Sequence, residues 1–65
     1  MTRNQLEGRW EQVKGRAQVT WGRLTDQDLD LIAGRHDELV GILQERYGLM
    51  RHELERQVSR FEAAH

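Results

Sequence analysis

Sixty-five residues make one small domain, and a core of that size supplies about 3–5 kcal/mol of net stability. The chain has no cysteine, which excludes a disulfide framework and a thiolate metal site, and no proline. Charged residues make up 32% of the sequence yet sum to -1, so the molecule lacks the strong positive field of a dedicated nucleic-acid binder. Residues 1–24 nevertheless hold five basic and two acidic side chains, and Asp26, Asp28 and Asp30 follow at once. The opening MTRNQLEG has no apolar signal-peptide region, and no segment reaches membrane-spanning length, so a cytoplasmic protein is expected.

The apolar residues recur with a helical rather than a two-residue period, which predicts an all-α chain. Leu6, Trp10, Val13, Ala17, Trp21 and Leu24 form one stripe, predicting a first helix over about 5–21. Asn4 with Glu7 has the pattern of a capping box, and Gly22 is placed to end the helix in the left-handed conformation. In LTDQDL, Thr25 is set to cap the amide of Asp28, whose carboxylate reaches back, and Leu24 and Leu29 form a hydrophobic staple. This favours a helix start over a calcium loop, because D-x-D-x-D here lacks the glycine and distant glutamate of an EF-hand.

The second helix is predicted over about 26–33, with Leu29, Ile32 and Ala33 inward and Gly34 as its stop. The third covers about 36–47, burying Leu39, Val40, Leu43 and Tyr47, and Gly48 ends it. The fourth covers about 51–62, with Leu54, Val58 and Phe61 on one face, and residues 63–65 are expected to fray.

Placing residues 8–22 over 34–48 superimposes GRWEQVKGRAQVTWG on GRHDELVGILQERYG, with all three glycines, Arg9/Arg35 and Gln18/Gln44 coincident. The repeat predicts two helical hairpins packed about an approximate twofold axis, neither of which buries its apolar stripe alone.

The motifs G-x-W-x-Q-x-K-G (Gly8, Trp10, Gln12, Lys14, Gly15), W-G-x-L-T-D-x-D-L (Trp21 to Leu29), G-x-x-D-x-L-V-G (Gly34 to Gly41) and Q-E-R-Y-G (Gln44 to Gly48) resemble the CsbD-like family of small bacterial general stress-response proteins. The resemblance extends from Asn4 to Glu62. It implies a compact four-helix domain of two crossed hairpins, raised under general stress, with no known enzyme activity, cofactor or binding residue. Met50 stands where family members often carry the serine that opens the fourth helix, and methionine is a poor N-cap.

Chemistry is sparse. His36, His52 and His65 lie in separate elements without metal-ligand spacing and read as surface residues. The carboxylates sit among opposite charges at helical spacing, the single serine, Ser59, has no activating partner, and no phosphate-cradling loop is present. No catalytic residue, cofactor, metal or small-molecule substrate is therefore expected. Trp10, Trp21, Tyr47 and Phe61 all fall on apolar stripes, which favours core packing over base stacking.

The Gly-Arg dipeptides at Gly8, Gly15 and Gly22 are harder to place, because the glycines lie opposite the apolar stripe. Within a helix Gly8, Gly15 and Gly41 each cost up to about 1 kcal/mol relative to alanine. Either these faces admit another helix or chain, or they keep the helices marginal. Arg9, Arg16 and Arg23, with Lys14, form a row suited to weak phosphate contact. Two functional expectations follow. One is a non-enzymatic stress protein acting by protein association, including self-association, or as an abundant hydrophilic protectant. The other is a sequence-independent binder of nucleic acid or an anionic surface through the arginine row.

Overall fold

A computed structural model describes residues 6–65, and among them every regular element is helical. A helical turn at residues 6–8 precedes α1 (Trp10–Thr20), α2 (Asp26–Ile32), α3 (His36–Tyr47) and α4 (Arg51–Ala64). The capping role expected of Asn4 lies outside the described residues.

The apolar stripes converge on one core. Leu6, Trp10, Val13, Ala17, Trp21, Leu24, Leu29, Ile32, Leu39, Val40, Leu43, Leu54, Val58 and Phe61 are buried in a single cluster. Ile32, Leu39, Val40, Leu43, Leu54 and Val58 lie at its centre, where van der Waals contact is most complete. Helix α3 packs against both α2 and α4. Helix α1 is fastened to the others largely by its aromatic ends. Trp10 Nε1 donates to the Leu29 carbonyl at 2.9 Å, and Trp21 Nε1 donates to Gln57 Oε1 at 3.1 Å while its ring packs 5.1 Å from that of Phe61. These bonds satisfy the indole N–H groups that burial would otherwise strand.

Several boundaries differ from the sequence reading, each for a local reason. The first helix is interrupted at Arg9 (φ -117°, ψ 13°), so the continuous helix starts at Trp10. There the backbone of residues 6–7 lies against Gly34, where an added Cβ would fall 2.7 Å from the Glu7 Cα. Gly22 is not left-handed: α1 ends at Trp21 (φ -122°, ψ 87°), whose amide still bonds the Ala17 carbonyl at 2.8 Å. The buried indole and the Trp21–Leu24 turn, closed by a 3.0 Å bond, redirect the chain without it.

Ala33 is exposed rather than inward, because it is the left-handed cap of α2 (φ 49°). Gly34 next to it (φ 80°) serves the close approach to residues 6–7. Gly48 (φ 68°) does cap α3 in the left-handed conformation. Tyr47 is half-buried at the edge of the core. Residues 63–65 do not fray: α4 continues to Ala64, the His65 amide bonds the Phe61 carbonyl at 3.1 Å, and the His65 ring packs 4.6 Å from that of Phe61.

Candidate functional site

The outward side of α1 is the surface to which the sequence directs attention, and its residues separate into free and committed groups. A Cβ added at Gly8, Gly15 or Gly22 would meet nothing within 4 Å, and the same holds for Gly41 on α3. None of these four glycines is required by packing within the described chain. Val19, one helical turn beyond Gly15, is 83% exposed, so an apolar side chain stands beside a position with no side chain at all.

The basic residues of this region are not equivalent. Lys14 Nζ lies 3.0 Å from Glu11 Oε1, and the Glu11 carboxylate, by hydrogen bond and charge, raises the lysine pKa. Arg23 folds across the end of α3. Its guanidinium lies 5.6 Å from the centre of the Tyr47 ring, Nη1 donates to the Arg46 carbonyl at 3.5 Å, and its amide donates to the Tyr47 hydroxyl at 3.1 Å. Such contacts use the guanidinium as a clamp on a helix C-terminus, where positive charge is favoured. Arg9 and Arg16 are exposed and make no ion pair among the described residues. Arg9 is also the N-cap residue of α1, and Arg35, its counterpart in the repeat, occupies the N-cap of α3. The two starts differ in conformation: Arg9 lies at φ -117°, ψ 13°, whereas Arg35 is extended at φ -83°, ψ 128° after the left-handed Gly34.

Two polar anchors join the other helices. The Thr25 hydroxyl accepts from the Asp28 amide at 3.0 Å, and Asp28 Oδ2 accepts from the Thr25 amide at 3.0 Å, forming the capping box of α2. Arg46 then reaches over from α3, donating Nε to Oδ2 at 2.9 Å and Nη2 to Oδ1 at 2.7 Å. Hydrogen bonds from Arg46 and the Thr25 amide hold the buried Asp28 carboxyl at about 2, below its ordinary 3.8. This carboxylate is therefore used in tying α2 to α3. The three aspartates do not converge on a common centre: Asp26 accepts from Gln18 at 3.3 Å and Asp30 is exposed.

The second anchor corrects the expectation of a surface histidine. His36 is buried at the start of α3, with Nδ1 2.9 Å from Glu62 Oε2, and the two side chains are only 7% and 6% exposed. Burying two polar side chains is tolerable because each supplies the other's partner. His52 is exposed and His65 is half-buried against Phe61. Among the described residues, no group of three or more histidine or acidic side chains is arranged to hold a metal ion. The tertiary anchors Asp28–Arg46 and His36–Glu62 span 18 and 26 positions. Helical periodicity cannot find such pairs.

The sequence profile of the CsbD-like family matches residues 4–56. The chain belongs to the CsbD-like family. Among curated proteins, a UPF0337 protein of Pectobacterium atrosepticum is 46% identical over 65 residues, covering 100% of this chain and 94% of its own. The UPF0337 protein YjbJ of Escherichia coli K12 is 43% identical over 58 residues, covering 89% of this chain and 84% of its own. A UPF0337 protein of Nitrosomonas europaea is 47% identical over 58 residues, covering 89% of this chain and 62% of its own. No solved structure matches. Within this CsbD-like chain no helix of the described residues is long and apolar enough to cross a membrane.

Proposed function

We propose that this CsbD-like protein is a non-enzymatic general stress-response protein of the cytoplasm that acts by associating with another protein chain through the outward face of α1. Supporting this reading is the combination on that face: Gly15 leaves the backbone uncovered, and Val19, one turn further on, is exposed beside it. Small residues allow a second helix to approach closely, while an exposed apolar neighbour gains by being covered. In the same reading residues 1–65 act as one domain, two hairpins related by an approximate twofold axis. The coincidence of residues 8–22 with residues 34–48 in sequence supports that arrangement.

The test compares wild type with Val19→Glu by affinity capture from stressed cells and by light scattering of the pure protein. The substitution places charge on an already exposed position, so helix content by circular dichroism should be unchanged. Loss of a specific captured partner, or of a self-associated species, is expected. Capture and mass unaffected by Val19→Glu would contradict the reading.

A further inference from the structure

The cations left free by the fold are not confined to α1. On α4, His52, Arg56, Ser59 and Arg60 line one shallow, solvent-exposed trough together with Glu55. His52, Arg56 and Arg60 follow one another at intervals of four, so they stand along one side of the helix at steps of about 6 Å. Among the described residues neither Arg56 nor Arg60 is ion-paired.

Two of the three acids of the same helix are drawn aside. Glu55 pairs with Arg51 at 3.1 Å and Glu62 is buried against His36 at 2.9 Å, while Glu53 accepts only from the neutral Gln57 at 3.4 Å and keeps its charge. The net charge of -1 therefore conceals a ridge on which, among the described residues, two unpaired cations, Arg56 and Arg60, outnumber one unpaired acid, Glu53. From this ridge we propose a second binding surface: the outward face of α4 contacts the phosphodiester backbone of nucleic acid through Arg56 and Arg60, with the Ser59 hydroxyl as a neutral donor.

The arrangement favours a nucleic-acid backbone over a lipid surface. Leu54, Val58 and Phe61, the apolar side of α4, are buried in the core, so the helix has no apolar face to lower into a bilayer. Two exposed guanidinium groups one helical turn apart suit a polymer with repeated phosphates, and backbone contacts of this kind position a protein without reading sequence. Its residues, all on α4, are other than those of the α1 face.

The strength of the interaction follows from counterion release. Two neutralised phosphates give a slope of about -1.8 in log affinity against log salt on duplex DNA. Raising salt from about 50 to about 200 mM should then weaken binding roughly 12-fold. The experiment is a fluorescence-anisotropy titration of a labelled random duplex of about 20 base pairs at both salt concentrations, the site being short relative to the probe. The proteins are wild type, Arg56→Gln/Arg60→Gln and Arg9→Gln/Arg16→Gln, each checked for unchanged helix content.

The expected result is salt-dependent binding by wild type, its loss in the α4 double variant, and its retention in the α1 double variant. Absence of wild-type binding at low salt would overturn the proposal. So would an unchanged affinity in the α4 variant, loss confined to the α1 variant, or preference for phosphatidylglycerol vesicles over DNA at equal phosphate concentration.

Discussion

Gly15 and Gly34 are the same residue type with opposite roles. A methyl at Gly15 would meet nothing within 4 Å, and the residue lies inside α1. Gly15→Ala should stabilise the fold by up to about 1 kcal/mol, because the only change is in helix propensity and unfolded-state entropy. Gly34 has φ 80° and would place a Cβ 2.7 Å from the Glu7 Cα. Gly34→Ala should cost more than about 1 kcal/mol, through both backbone conformation and contact. Urea denaturation of the two variants measures the contrast.

Asp28 gives a pH dependence at the same scale. Its folded value of about 2 lies below its ordinary 3.8, so its stabilising contribution is complete above the ordinary value and is lost as pH falls through the folded one. Wild type should lose this contribution between about pH 4 and pH 2, whereas Asp28→Asn should lack that component of acid sensitivity. Parallel acid titrations of stability for the two proteins would count against this assignment.

At the scale of the element, the helix ends show what local pattern can and cannot specify. The Thr25–Asp28 box and the left-handed Gly48 were legible because each depends on residues a few positions apart. The position of the α1 end was legible too, but the conformation of Gly22 was not, because Trp21 is held by Gln57, 36 positions away. The last turn of α4 likewise depends on His36 and on the stacking of His65, neither visible in its own stretch.

The start of α4 is the weakest junction in this respect: Met50 is its N-cap, makes no side-chain capping bond and is 76% exposed. Met50→Ser should add about 1 kcal/mol, which for a domain of this size raises Tm by about 4–8 °C. A calorimetric scan showing an unchanged or lower Tm would mean that this end is satisfied in another way.

At the scale of the whole molecule, apolar periodicity revealed the helices and most of the core, since burial repeats along each helix. It did not reveal which charges the fold consumes. The sequence sets Arg9, Lys14, Arg16 and Arg23 in one basic group, but tertiary contacts turn Arg23 toward Tyr47 and local contacts pair Lys14 with Glu11. Conversely, the ridge of Arg56 and Arg60 emerges only when the partners of Glu55 and Glu62 are known. Function in a chain with so few chemical groups is therefore a question of which surfaces the fold leaves uncovered.

The claim that the outward face of α1 receives a partner is tested most directly by placing a photo-crosslinking residue at Gly15, and at the exposed Glu45 as a control, in stressed cells. Position 15 has open space around it, so the probe itself should fit. The account predicts a discrete adduct from position 15 that is weak or missing from position 45. No adduct at position 15, or the same adducts at both positions, would contradict it.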